Sequence, residues 1–223
     1  MIGRLPRWVW PVAWWLAFVA GGVNAIGLLG VAHQAVSHLT GTTTLLADAL
    51  ATGAGGPPSH LAAIVAAFVL GAAAGGAVVP ADPLSTGQRH TAVLLACAAS
   101  LLAAWRLFPA HPAAALGCAA FACGLQNATT TAYSGAVVRT SHVSGMFTDL
   151  GISLGQAVRG GAVGRRRIAL CCTVIAGFFG GGLATARLFV AVGYDALLLP
   201  VAVLAMLATA NALHAAASRR DAH

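Results

Sequence analysis

The chain has 223 residues, of which 59% are hydrophobic and 8% are charged, and its formal net charge is +7. A soluble domain carries about 25% charged residues, so this composition excludes a water-soluble fold and indicates a protein of the lipid bilayer. The basic residues are all arginines. Most of them lie between apolar runs, where arginine reports orientation in a membrane, so the charge does not predict a nucleic-acid partner.

Six apolar stretches are long enough to cross a bilayer, which takes about 20 residues. We therefore predict an all-α, polytopic membrane protein with six transmembrane helices. The first stretch follows two arginines, as a signal peptide does, but it is long and lacks a clean cleavage site, so we expect it to be retained. The six stretches are Trp8 to Val31, Leu61 to Val79, Thr91 to Phe108, Pro112 to Tyr133, Ile168 to Phe189 and Ala196 to His214.

The arginines set the predicted orientation. If the N-terminus is cytoplasmic and all six stretches cross, every arginine except Arg106 and Arg187 faces the cytoplasm. This is the distribution that the positive-inside rule expects, and the opposite orientation would invert it. We therefore expect both termini in the cytoplasm.

The two halves of the chain share three groups of residues in the same order. Residues 21–25, 37–41 and 71–76 match residues 124–128, 141–145 and 177–182, at offsets that drift from 103 to 106. We interpret this as a duplication, with one repeat in residues 1–108 and the other in 109–223. Each repeat has three crossings, an odd number, so the second enters the bilayer from the opposite side. Inverted repeats of this kind occur in secondary transporters.

A polar, Gly- and Thr-rich stretch follows the first helix of each repeat, at residues 33–60 and 134–167. Each stretch contains a short apolar helix, which we predict from Thr43 to Ala51 and from Met146 to Val158. Helices of this length cannot cross a bilayer, but they can enter from one face and end at a cavity enclosed by protein. We expect their first amides to be capped by the hydroxyl of Thr40, Thr42 or Ser144.

Polar side chains at membrane depth are the candidate binding residues. Such groups must find a partner on another helix or on a bound ligand, and histidine can also bind an anion when it is charged. Bonds between helices for the asparagines, or a backbone hydrogen bond that fixes each break for the histidines, are the open alternatives. The candidate solute-binding residues are Asn24, His38, Thr40, Gln126, Asn127, His142 and Ser144.

Asp149 and Asp48 are the candidates for proton or ion coupling, because each lies within a predicted half-helix. A carboxylate at membrane depth is costly when charged, so burial favours the form that carries a proton. The alternative is that both lie near helix beginnings, where the helix dipole favours a negative charge. The two aspartates and two histidines come from opposite faces of the predicted topology, so we predict no metal site.

One pattern favours an enzyme. Residues 151–155 fit G-x-S-x-G, and His214 in the last stretch is a candidate base for Ser153. That motif requires a strand-to-helix elbow, whereas this segment looks helical, so we predict that the chain is not a hydrolase. Fingerprints of a phosphate loop, a dinucleotide site or a zinc protease are missing from the sequence, and we expect no cofactor.

Two sequence segments carry a family resemblance. Residues 124–128 read Gly-Leu-Gln-Asn-Ala, and residues 139–151 read Arg-Thr-Ser-His-Val-Ser-Gly-Met-Phe-Thr-Asp-Leu-Gly. They resemble the YoaK family of bacterial multi-pass membrane proteins, labelled as a domain of unknown function, over about residues 12 to 215. Ser144 stands where that pattern has threonine, and it keeps the hydroxyl. The resemblance implies a bacterial cytoplasmic-membrane protein with about six helices, and it supplies no substrate.

The leading functional hypothesis is a small secondary transporter or permease for a small polar solute or ion, with alternating access between the two repeats and protons as candidate coupling ions. A non-transporting scaffold or sensor is the main alternative, and it predicts a glycine-lined core without a polar cavity between the repeats. A passive channel, which needs a continuous polar path, is the third hypothesis. The expected partners are the lipid bilayer and the solute, and the small size of the chain also suits a homodimer.

Overall fold

The computed structural model describes residues 6, 8–30, 33–53, 57–79, 87–134, 140–161 and 164–220, with the side chains of 132–134 and 218–220 left out. Within these ranges the chain is helical and has no strand, which confirms the all-α prediction. A 3-10 segment, Gly193–Leu197, joins the last two helices. The α-helices are α1 (Val9–Leu29), α2 (Leu39–Thr52), α3 (Pro58–Val78), α4 (Gln88–Leu107), α5 (Pro112–Ser134), α6 (Val143–Val158), α7 (Arg165–Val192) and α8 (Leu198–Arg220).

Several helices are long and apolar enough to cross a membrane. One candidate span, the 53-residue segment Arg165–Ala217, takes in α7 and all but the last three residues of α8. The two helices separate at Gly193, where a φ of 62° favours glycine. Helix α5 has 23 residues, but Gln126 and Asn127 interrupt its apolar run, and it does not count among the candidate spans. The candidate spans in the described ranges are Val9–Leu29, Pro58–Val78, Gln88–Leu107 and Arg165–Ala217.

The two short helices begin earlier than the sequence predicted. Helix α2 starts at Leu39 rather than Thr43, and α6 starts at Val143 rather than Met146, each directly after a histidine. Gly145, which was expected to precede α6, therefore lies inside that helix. The ring of His142 packs against Gly145, with Nε2 2.5 Å from where a β-carbon would be. At 14 and 16 residues the two helices measure about 21 and 24 Å, which is too short for a bilayer core of about 30 Å.

Helices α1 and α7 make one of the two most extensive helix contacts. Gly21 on α1 faces the backbone oxygen of Phe178, and Gly181 on α7 faces that of Phe18, so closely that a β-carbon on either glycine would overlap the oxygen. Further along, Gly22 lies beside the hydroxyl of Thr185. The contact runs from Trp14 against Gly177 to Gly22 against Thr185, so the two helices are parallel. Small residues let their backbones touch.

Helices α3 and α5 form the second extensive contact, in which glycines again face backbone oxygens of the other helix. Gly71 on α3 faces the backbone oxygen of Phe121, and Gly124 on α5 faces that of Phe68. Gly75 follows against Leu125, so this pair is also parallel. The predicted small-residue stripes therefore lie at helix interfaces, where they act in packing.

The contacts correct the alignment of the third sequence match. Phe18 and Phe121 make equivalent contacts and lie 103 positions apart, as predicted. Their partners Gly181 and Gly71 lie 110 positions apart, whereas the glycine pattern aligned Gly71 with Gly177 at an offset of 106. The difference is about one helical turn, which a repeat of small residues cannot distinguish.

The ends of the helices fix their directions. At one end the ring of Tyr194 stacks on Phe108, the last turn of α1 approaches the Tyr194 hydroxyl at Gly30, and Trp105 Nε1 donates to Asp195 Oδ1 at 2.8 Å. Helices α1, α4 and α7 therefore end together. At the opposite end Asn211 Nδ2 donates to the backbone oxygen of Gly87, so α8 runs against α4. Helices α3 and α5 share the direction of α8, since α5 returns from α4 through a short turn.

Each short helix packs against one of the parallel pairs. Helix α2 contacts α3, and α6 contacts α7. The molecule thus contains an α3–α5 group, made of α2, α3 and α5, and an α1–α7 group, made of α1, α6 and α7. Helix α4 packs between α5 and α8. Each group combines helices from both halves of the sequence.

Candidate functional site

A cavity of about 530 Å³ lies where the two interrupted segments meet. The α3–α5 group supplies the first turn of α2, the middle of α3 and the second half of α5, and the residues directly before α2 and α6 complete the described lining. The cavity therefore lies where the α3–α5 group meets the segment that leads into α6 of the α1–α7 group. Its described lining residues are Ser37, His38, Leu39, Thr40, Phe68, Ala72, Asn127, Ala128, Thr131, Ser141 and His142.

His38 and His142 are the most distinctive lining residues. Each is the last non-helical residue before a short helix, with φ and ψ of −117° and 80° at His38 and −91° and 57° at His142. Both side chains are exposed. Neither ring has a hydrogen bond or ion pair to the part of the chain that the structure describes. Among the described residues, the expected alternative of a backbone hydrogen bond that fixes each break is therefore not found for either ring.

The predicted hydroxyl caps are wrong. Neither α2 nor α6 has a side-chain cap at its first turn. The Thr42 hydroxyl instead donates to the backbone oxygen of Ala35 at 3.0 Å and holds the preceding loop. Ser144 is exposed and its side chain does not cap α6. The first amides of both short helices thus have no side-chain acceptor, and both helices begin at the cavity.

Each candidate asparagine bonds to the serine that precedes the histidine of its own half. The Ser37 hydroxyl donates to Asn24 Oδ1 at 3.1 Å, and Asn127 Nδ2 donates to the Ser141 oxygen. Asn127 lines the cavity, whereas Asn24 is not among the described lining residues. The asparagines therefore tie a long helix to the adjacent break, as the alternative of structural bonding expected.

Gln126 lies in the core and not at the cavity. Its side chain is 5% exposed, and its Nε2 donates to the backbone oxygen of Leu16 at 2.7 Å and to the Thr140 hydroxyl at 3.1 Å. These bonds join α5 to α1 and to the segment that leads into α6. The structure thus gives Gln126 a structural contact where the sequence predicted a ligand contact.

The two candidate coupling residues also lie away from the cavity. Asp149 Oδ1 accepts a hydrogen bond from Arg167 Nη2 at 2.8 Å, and the exposed fractions of the Arg167 and Asp149 side chains are 48% and 33%. Asp48 is exposed near the end of α2. Asp149 is thus paired with a cation, and no carboxylate is among the described lining residues.

The residues of the hydrolase motif do not form an elbow. Ser153 lies within α6, where its hydroxyl donates to the backbone oxygen of Asp149 at 2.8 Å. His214 lines a second, smaller cavity of about 250 Å³, formed on another face of α5 where α1, α4, α5 and α8 meet. The described lining of that cavity includes His90 and Asn211 and does not include Ser153. In the described part of the chain no three His, Cys, Asp or Glu residues are grouped to hold a metal ion.

Sequence reasoning missed several residues of the site. Ser37 and Ser141 were visible in the repeated Ser-His pattern, and their recurrence 13 and 14 residues after an asparagine was a usable signal. Phe68 and Ala72 carried no such signal, because apolar residues on an apolar helix do not reveal which ones face a cavity. Thr131 belongs to a threonine run of which Thr129 and Thr130 face the smaller cavity.

The comparisons with known proteins give a family and no function. A family model described as "Protein of unknown function (DUF1275)" matches residues 12–210. No curated protein and no solved structure matches the chain. Function therefore has to be argued from the cavity and the residues that line it.

Proposed function

We propose that this chain, which belongs to the DUF1275 family, is a small secondary transporter or permease for a small polar solute or ion. The observation that carries the proposal is that His38 and His142, from the two halves of the sequence, line one cavity. A scaffold that serves only in packing has no need of such a cavity. Polar groups at membrane depth are costly and are typical of solute pathways.

The proposal includes six crossings and two inverted repeats. The helix contacts support the repeats. If α1, α3 and α4 correspond to α5, α7 and α8, the contact between α1 and α7 corresponds to the contact between α5 and α3. The same correspondence reverses the direction of every helix. Inverted repeats place the solute site near the midplane, at discontinuous helices, and α2 and α6 are such helices. The repeats are residues 1–108 and 109–223.

Alternating access follows from the two helix groups. The α1–α7 and α3–α5 pairs are joined through backbone contacts at glycines, so each group moves as one body. His38 directly precedes the short helix of the α3–α5 group, and His142 directly precedes the short helix of the α1–α7 group. Rocking of one group against the other changes the separation of the two histidines and opens the cavity to either side in turn.

Proton coupling moves from Asp149 and Asp48 to the cavity histidines. Arg167 already neutralises Asp149, and the described lining has no carboxylate. Histidine is the side chain that most readily changes charge near neutral pH. In our proposal the two histidines of the cavity, and not the aspartates, are therefore the candidate coupling residues.

The arginine distribution supports cytoplasmic termini. A bacterial cytoplasmic membrane, which the resemblance to the YoaK family implies, stays a prediction, and so does a homodimer.

Flux through purified protein in liposomes tests the proposed function. Uptake of a panel of radiolabelled small anions, cations and neutral solutes is measured, together with the internal pH. We expect saturable uptake of at least one solute, at least about tenfold slower in His142→Ala, because the variant loses a hydrogen bond to the solute. Asp149→Asn is expected to keep most of the flux.

His111→Ala is the matched control, since His111 is exposed and lies outside the cavity lining. Uptake no faster than in protein-free liposomes, or equal in His142→Ala and wild type, would contradict the proposal.

A further inference from the structure

We infer that the solute of this cavity is a small oxyanion, such as a short carboxylate or hydrogen phosphate. The inference rests on the proposed function and narrows it to one chemical class. It is carried by the cavity lining, in which two histidines without a partner in the described part of the chain face the same space as hydroxyl groups and the beginnings of two helices.

The side chains of the lining are suited to an anion. His38 and His142 each present ring nitrogens that bond to nothing in the described chain, and a charged imidazole donates from both nitrogens. The Ser141 oxygen accepts a hydrogen bond from Asn127, so its own hydrogen is available to a ligand. The hydroxyl of Thr40 adds a further donor at the same wall. Charge-assisted bonds from such donors to an oxyanion are among the strong hydrogen bonds of proteins.

The backbone adds to the same preference. Helices α2 and α6, of 14 and 16 residues, begin at this cavity without a side-chain cap. The first amides of a helix carry a partial positive charge and bind anions when no side chain occupies them. Here the two helices come from different groups, so an oxyanion bound between them contacts both groups at once. Such a ligand would control the relative position of the two groups.

The lining argues against the other solute classes. A hard cation such as Ca²⁺ or Mg²⁺ takes several oxygen ligands, carboxylates above all, and the described lining has no carboxylate and one side-chain carbonyl, that of Asn127. The remaining walls are apolar, formed by Leu39, Phe68, Ala72 and Ala128. A lining that combines such apolar residues with two histidines fits a small ligand with a single charged group better than a sugar, whose hydroxyls point in all directions.

Binding to the purified full-length protein tests the inference. Thermal unfolding is followed by tryptophan fluorescence with sodium acetate, lactate, hydrogen phosphate or sulfate, and with choline chloride or glucose, at equal ionic strength. At least one of the four oxyanions is expected to raise the unfolding temperature in a saturable way. His38→Gln and His142→Gln should each weaken that binding about tenfold, since each removes one charge-assisted hydrogen bond. The control is the double variant His60→Gln/His111→Gln, which changes two exposed histidines outside the lining and should bind as wild type does.

Two outcomes would overturn the inference. One is that none of the four oxyanions stabilises the folded wild type, a result that does not depend on how the variants fold. The other is that choline or glucose binds and loses its effect in the cavity variants. Either outcome leaves the proposed transport function to the flux measurement, which includes cationic and neutral solutes. If His142→Gln does not fold, Thr40→Val serves as the second cavity variant, and unchanged oxyanion binding in it and in His38→Gln would also contradict the inference.

Discussion

The glycines at the two parallel helix pairs predict which single methyl groups the fold cannot accept. Gly181 faces the backbone oxygen of Phe18, and Gly71 faces that of Phe121. A β-carbon at either position overlaps a backbone atom, which cannot turn aside as a side chain can, so the whole helix pair must separate. Overpacking of this kind costs about 1–3 kcal/mol. Separation of the pair also weakens dispersion contacts along its length.

Each of these glycines has a neighbour that serves as a matched control. A β-carbon on Gly182 would lie 3.6 Å from the backbone oxygen of Gly21, which is an ordinary contact, and one on Gly76 would meet nothing within 4 Å. Alanine gains the same helix propensity over glycine at the test and control positions, so this gain cancels in the comparison. Gly181→Ala and Gly71→Ala should therefore each be about 1–3 kcal/mol less stable than their controls, and the two losses should be similar.

The assay is reversible unfolding in mixed detergent micelles, with sodium dodecyl sulfate as the denaturant and tryptophan fluorescence as the signal. The free energy of unfolding is compared within each matched pair of variants, so effects of glycine on the unfolded chain cancel. If Gly181→Ala unfolds at the same denaturant fraction as Gly182→Ala, the backbone contact between α1 and α7 does not exist as described. The two helix groups would then not be the rigid bodies of the mechanism.

Two further predictions concern residues that the sequence placed in the site. Gln126→Leu should lower the free energy of unfolding by about 1–3 kcal/mol, since it removes the bonds to Leu16 and Thr140 in the core; stability equal to wild type in the same assay would contradict this role. Asp149→Asn should change stability by less than about 1 kcal/mol, because its partner Arg167 and the carboxylate are both partly exposed. A double-mutant cycle with Arg167→Ala measures this coupling, and a value well above that range would show a buried pair.

The architecture was largely predictable because its signals are strong. Apolar runs of about 20 residues identify long helices, and each of the six predicted runs overlaps one of them. The ends were less predictable. Helix α7 begins at Arg165, three residues before the predicted apolar run, because arginine is a good helix former and apolarity marks only the part of a helix in contact with lipid or core.

The site was predictable only in part, because residue type does not fix the direction of a side chain. The paired pattern around His38 and His142 identified the two residues that the cavity brings together. Asp149 was singled out for the cost of a charge in a membrane, but its partner Arg167 lies 18 positions further along the chain, and only the packing of α6 on α7 brings them together. The amide of Gln126 can bond equally well to a ligand or to another group in the core. Its bonds to Leu16 and Thr140 depend on helix packing, which the sequence does not show.

The central claim, that one cavity between the two helix groups opens to each side in turn, is tested most directly by cysteine accessibility. The native cysteines Cys97, Cys118, Cys123, Cys171 and Cys172 are first replaced, since all are free thiols. His38→Cys and His142→Cys are then labelled with a membrane-impermeant maleimide in vesicles of either orientation, with His111→Cys as a control that should react from one side only. We predict that both cavity cysteines react from either side of the membrane. Labelling of both from a single side would contradict alternating access.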